Sequence, residues 1–247
     1  MSRFLLPAGT LWQRELVRFF RQPSRVVGAL VPPIVFWGLI GSGLGSGSLQ
    51  TLFPGTVVLI VLFTAIFSTI SIIEDRHEGF LQSVLVTPIA RSSVVLAKIA
   101  GGTTLAFIQG FFFLSVAPLV GFSMTSLGFV FMLAVLLLIS FGLTGLGFLL
   151  AWQLDSTQGF HAIMNLFLMP MWFLSGALFP FSGAPPWLRV VMHGNPLTYG
   201  LSALQSGLRI QGHPLAPGVA SPAVCLGVTM LFAIGIFAGS VMLARKR

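Results

Sequence analysis

Residues 26–73, 99–154, 156–188 and 210–244 of this chain contain no Asp, Glu, Lys or Arg. A charge placed in hydrocarbon is costly, so these uncharged stretches set where the chain can cross a bilayer. A crossing helix needs about 20 residues. The first two stretches each hold two crossings and a short link, and the last two hold one crossing each plus a loop, which makes six. Composition agrees, since 55% of the 247 residues are hydrophobic and 7% are charged, against about 25% charged in soluble domains. We therefore predict an all-α membrane protein, one transmembrane domain over 1–247, with spans at 26–46, 53–73, 92–119, 126–150, 160–181 and 222–244. Gly41-Ser42-Gly43 through Gly47-Ser48 and Pro118 through Ser126 read as links, and Pro32-Pro33 should bend the first span.

Lys and Arg number 13 against 5 acids, a formal net charge of +8. The basic residues sit at the ends of apolar runs and not along one wet face, which argues for anionic lipid headgroups and against nucleic acid. With six crossings, Arg3, Arg14, Arg18, Arg21, Arg25, Arg76, Arg91, Lys98, Arg245, Lys246 and Arg247 share the side of the termini. Only Arg189 and Arg209 face the other side. The asymmetry predicts that both termini are cytoplasmic in a multi-pass cell-membrane protein, the bacterial inner membrane being the expected location. Met1 to Gly9 has no apolar core of signal-peptide length. The single cysteine, Cys225, allows neither an internal disulfide nor a cysteine metal cluster.

Three segments outside the spans carry a pattern. From Thr10 to Gln22, Trp12, Leu16, Phe19 and Phe20 share one helical face and Arg14, Arg18 and Arg21 the other, with Pro23 as the stop. A soluble core helix has the same stripe, but its place just before a span favours an interfacial helix, aromatic side in the acyl chains and arginines at the phosphates. From Glu74 to Val86, three of the five acids (Glu74, Asp75, Glu78) precede an apolar stripe of Phe80, Leu81, Val84 and Leu85. A short cytoplasmic helix over 74–86 is expected, acids in its first turn, its stripe resting on the membrane or in a partner's groove. The outer loop, 182–221, should hold two short helices. One starts at Pro185-Pro186-Trp187, the other at Asn195-Pro196-Leu197-Thr198-Tyr199, and the second is striped by Leu197, Leu201, Leu204 and Leu208. Both dipping into the outer leaflet and lying on it fit that pattern, with Trp187 and Tyr199 suited to the boundary.

Chemistry of its own is thin. His77-Glu78 lacks the second His of a zinc helix, because Leu81 stands there. Neither a Gly-x-Ser-x-Gly elbow nor a phosphate-binding Gly-rich loop with Lys occurs. The spans hold little that titrates beyond His161 and Lys98, the latter within snorkelling reach of the surface. An intramembrane lipid-modifying enzyme would have to use His161 with Asp155 or His193 with Tyr199; a non-transporting assembly factor is a third reading. The mild polar residues of the spans, with Gly142, Gly145 and Gly147, suit close helix packing. Asn165, Met169, Trp172 and Phe173 share roughly one face of the fifth span, as packing or as the lining of a substrate route. Asp155 reads as a helix N-cap.

The run Glu74-Asp75-Arg76-His77-Glu78-Gly79-Phe80-Leu81, then Thr87-Pro88-Ile89 and Lys98-Ile99-Ala100-Gly101-Gly102, resembles the signature region of the ABC-2 type permeases, membrane subunits of ATP-binding-cassette exporters. A second stretch resembles the same family: Phe173-Leu174-Ser175-Gly176-Ala177-Leu178-Phe179-Pro180, Pro186-Trp187-Leu188 and Asn195-Pro196-Leu197-Thr198-Tyr199. Gln205 departs from it, since relatives often carry a basic residue there. The resemblance implies a permease that pairs with a second copy, usually its own, and with a dimer of cytoplasmic ATPase subunits, which hold the ATP and magnesium. This chain would need no cofactor. It also implies that Glu74, Asp75, Arg76, His77, Glu78, Gly79, Phe80, Leu81 and Leu85 dock the ATPase as a coupling helix, beside a connecting helix with Trp12, Arg14, Arg18, Phe19 and Arg21. The implied cargo is lipid-linked, polysaccharide or drug-like and amphipathic, moved through spans 1, 2 and 5.

Overall fold

The computed structural model describes residues 2–45, 47–210, 213–214 and 219–246. Arg247 and residues 211–212 and 215–218 of the outer loop lie outside the described residues, as do the side chains of Arg3 and Lys246. The helices are α1 (Ser2–Phe20), α2 (Pro23–Gly43), α3 (Ser48–His77), α4 (Phe80–Leu85), α5 (Arg91–Leu114), α6 (Ser126–Gln153), α7 (Thr157–Trp172), α8 (Pro186–Gly194), α9 (Pro196–Gly207) and α10 (Pro222–Lys246). A π turn, Phe173–Ala177, extends α7 until Gly176 takes φ 96° and ends it. Among the described residues six helical segments are long and apolar enough to cross a membrane, built on α2, α3, α5, α6, α7 and α10. The all-α six-span fold thus stands, and α2 runs unbroken through Pro32 and Pro33.

The central element is α3. Its side chains from Leu52 to Ile73 are nearly all buried, because α2, α5, α6 and α7 pack around it. Lipid is as apolar as leucine, so such packing is driven by close van der Waals fit and small residues. Gly102 permits one such close meeting: a Cβ there would stand 2.5 Å from Thr144 Cγ2 and 2.6 Å from Ser68 Oγ. Within this core Thr64 donates to the Gln109 carbonyl oxygen at 2.7 Å, tying α3 to α5.

Both outer-loop helices form, with Pro186 and Pro196 in their first turns. Their depth follows from α9's contacts with α6. Gly207 abuts Met132, Gly200 abuts Ile139, and the turn at Gly194-Asn195-Pro196 shares a cavity wall with Leu146 and Leu150. From Met132 to Leu146 is roughly 21 Å of helix, so the hairpin descends alongside α6 instead of lying over its end. Leu197, Leu201, Leu204 and Leu208 are all buried by it. Three two-residue strands, β1 (Phe122–Ser123), β2 (Arg209–Ile210) and β3 (His213–Pro214), close the loops at that end in the antiparallel order β1-β2-β3.

Candidate functional site

The 74–86 helix expected from sequence is two elements. Glu74, Asp75, Arg76 and His77 form the last turn of α3, Gly79 breaks the helix at φ 75°, and α4 is the separate short rod Phe80–Leu85. The acids therefore sit at a helix C-terminus, the end that disfavours negative charge. Four basic side chains compensate. Asp75, 0% exposed, accepts from both terminal nitrogens of Arg14, at 2.7 and 3.0 Å, and also from Arg18 and Lys98. Glu74 accepts from Arg18 at 2.9 Å and from Arg25, and Glu78 accepts from Arg18 at 3.1 Å. Glu15 of α1 takes Lys98 at 2.6 Å and the Ser71 hydroxyl at 2.6 Å.

Four carboxylates and four cations thus close one network across α1, α2, α3 and α5. The hydrogen bond to Asp75 raises the Arg14 guanidinium above its ordinary pKa, against the opposing effect of burial. Arg14 also lies 3.7 Å over the Phe80 ring, which fixes the root of α4. Arg76 extends the junction to α6 and α7: it donates to the Trp152 and Leu154 carbonyls at 2.6 and 3.0 Å and to Asp155 at 2.7 Å. His77 Nε2 lies 2.6 Å from the Asp155 carbonyl oxygen.

Several expectations change accordingly. Phe80, Leu81, Val84 and Leu85 pack against the chain's own core, Leu81 buried and the other three half-buried. What α4 and the turn after it present outward is Gln82, Ser83, Val86, Thr87 and Pro88, with Val86 85% exposed. On α1, Arg14 and Arg18 turn to carboxylates and not to phosphates, and Phe19 is buried; Arg21 stays exposed. Leu5, Leu6, Trp12, Val17 and Phe20 remain as an exposed apolar face, with Trp12 donating to Thr104 at 3.1 Å. Lys98 does not snorkel; it is 5% exposed and turned inward, because two carboxylates await it there. Asp155 caps no helix: Ser156 does so for α7, accepting from Gly159 N–H at 3.3 Å.

The α7 stripe divides. Asn165 and Phe173 are exposed and Met169 is half-buried, but Trp172 is buried and donates to the Gly55 carbonyl at 2.8 Å. In the outer-loop motif, Asn195 caps α9 and donates to the Met171 carbonyl at 2.6 Å, Pro196 opens the helix, and Trp187 stays exposed. The Tyr199 hydroxyl donates to the His193 backbone carbonyl at 3.0 Å while the His193 ring stacks edge-on to Phe181, so these two do not form an acid–base pair. Glu15, Arg25 and Ser71, central to the network, were not among the residues singled out from sequence. One signal pointed to them: with so few anions at the edge of a bilayer, each one calls for a cation nearby.

Residues 8–208, which include the network, α4 and the re-entering hairpin, match the family described as ABC-2 type transporter. The chain belongs to the ABC-2 type transporter family. Its relatives include the transport permease ycf38 of Cyanophora paradoxa, 27% identical over 82% of this chain and 74% of that protein. The inner membrane transport permease YadH of Escherichia coli is 25% identical over 96% of this chain and 94% of its own length. The "probable doxorubicin resistance ABC transporter permease protein DrrC" of Mycobacterium tuberculosis is 22% identical over 95% of this chain and 89% of its own. ABC-2 members are thus transport permeases, and this one is a multi-pass membrane protein.

Proposed function

We propose that this chain is the permease subunit of an ATP-driven exporter, worked by a separate cytoplasmic ATPase dimer and paired with a second permease, usually a second copy of itself. The observation that carries this is the build of the ion-paired end: a short rod, α4, whose inner side packs on α3 and under Arg14 of α1, beside the carboxylates that join four helices, and whose outer side is open. A force applied to α4 reaches α3 directly and α1, α2 and α5 through the carboxylates. The energy source is assigned to the ATPase, with its ATP and magnesium. The side bearing this rod is taken as cytoplasmic on the eleven-to-two distribution of basic residues. The cargo is taken as amphipathic or lipid-linked, and Asn165 and Phe173 on the open face of α7 are its candidate contacts.

The test is co-purification with the ATPase encoded beside it. Val86→Glu should abolish association and transport while leaving membrane insertion intact. Leu119→Glu, equally exposed at the far end, should leave association unchanged. An unaffected Val86→Glu complex would remove α4 as the docking element, and labelling of a cysteine at Gln82 from outside intact cells would reverse the orientation.

A further inference from the structure

Next to the network, α6 and α10 run parallel and part from each other. Toward their middles they touch: a Cβ on Gly142 would lie 2.9 Å from the Phe232 ring and one on Gly145 2.6 Å from Ile236. The contact ends at Gly239, where a Cβ would meet only Leu149, at 3.9 Å. Beyond it a wedge-shaped cavity of about 520 Å³ opens, lined by Leu149, Gln153, Gly239, Met242, Leu243 and Arg245. Its walls are aliphatic, and its mouth carries one guanidinium and one carboxamide.

Charge decides what such a wedge accepts. All five Asp and Glu side chains are engaged elsewhere: four in the network, and Asp155 on Arg76. Arg245 has no carboxylate partner among the described residues. Two helix C-termini gather at this mouth, and their carbonyls would repel an anion. They are already answered, since Arg76 holds the Trp152 and Leu154 carbonyls and Arg91 holds that of Ala244 at 3.0 Å. Gln153 gives one amide hydrogen to the Leu149 carbonyl at 3.0 Å and keeps the other.

We propose that this wedge binds one anionic phospholipid, its phosphate on Arg245 and Gln153 and the first part of an acyl chain over Gly239, between Leu149 and Leu243. A basic mouth above an apolar slot between spans suits such a headgroup. A zwitterionic lipid brings its own cation to the mouth and gains less. The proposal goes beyond transport; only the leaflet that supplies the lipid depends on the orientation argued above.

The test uses the full chain in dodecyl maltoside micelles, titrated with phosphatidylglycerol, phosphatidylcholine or soluble glycerol phosphate, with melting temperature as readout. Phosphatidylglycerol should raise it by several degrees more than phosphatidylcholine, less so at high salt, and glycerol phosphate should do nothing. Arg245→Gln should erase the phosphatidylglycerol excess, and Gly239→Leu, which fills the slot, should do the same. Should Gly239→Leu lower the lipid-free melting temperature, Met242→Trp, at an exposed position on the rim, blocks the slot from outside and decides. Equal response to both lipids, an excess that survives Arg245→Gln, or an effect of glycerol phosphate alone overturns the proposal.

Discussion

At the ion-paired end of the bundle, α1, α2, α3 and α5 are joined through guanidinium, ammonium and carboxylate groups, whereas at the far end the joins are neutral. There Trp37 donates to the Leu49 carbonyl at 2.8 Å and Gln50 to Val120 at 2.9 Å, and the deep turn of the outer hairpin is joined neutrally as well, Asn195 donating to Met171. Around them Trp37, Phe53, Phe113 and Phe122 stack with centroids 5.0 to 5.9 Å apart. The difference is one of consequence when a partner is lost. A neutral join leaves an orphaned carbonyl, whereas an ionic join leaves a buried charge, and burial makes the second far more costly. Loss of a partner is therefore the more costly event at the ionic end.

Lys98→Met should test this most severely. It leaves Glu15 and Asp75 facing one another with one cation fewer, at a cost of about 3–5 kcal/mol for breaking a buried pair, read as a fall in melting temperature in micelles. Adding Glu15→Met removes the orphaned carboxylate and should restore a good part of that loss. If Lys98→Met alone melts like the parent, the network does not hold this end together.

How much of this could be read from residue order depends on range. The uncharged runs marked all six spans, because hydrocarbon penalises every charge along a helix and the signal accumulates over its length. Pro186 and Asn195-Pro196 marked the outer helices for a local reason, since helix starts are signalled within a few residues. The network was hidden because its members, Glu15, Asp75 and Lys98, are far apart in the chain, and helical periodicity says which face a residue takes but not what meets it. Periodicity sets Arg14 and Arg18 opposite the aromatics; Trp12 and Phe20 are exposed, but Phe19 is buried in the same pocket as Arg18. The error was to give that face to phosphates, when the end of α3 supplies carboxylates. Likewise helical periodicity carries a helix through Gly79, whereas a positive φ there separates α3 from α4.

Asn195→Ala probes a neutral join, the one at the deep turn of the hairpin. It removes both the cap on α9 and the bond to Met171, leaving a buried carbonyl and an uncapped N–H, at a cost of about 1–3 kcal/mol. The smaller loss than for Lys98→Met is the expected ordering of the two kinds of join, and the reverse ordering in melting temperature would contradict it. Asn195→Asp keeps the cap acceptor but not the donor, so it should fall between the parent and Asn195→Ala unless the new charge at this depth dominates.

The finest comparison is between two adjacent residues, Asp155 and Ser156. Ser156 caps α7, so Ser156→Ala should cost about 1 kcal/mol. Asp155 is largely exposed, and its partner Arg76 keeps two backbone carbonyls without it, so Asp155→Asn should cost less than about 0.5 kcal/mol, as exposed pairs do. An acidic residue just before a helix would give the opposite order if it were the cap. Measured side by side in the same micelles, the two variants separate a capping hydroxyl from a surface ion pair. An Asp155→Asn loss larger than that of Ser156→Ala would mean that Arg76 needs the carboxylate to hold the ends of α3 and α6 together, and the ionic network would then extend one helix further than its buried part.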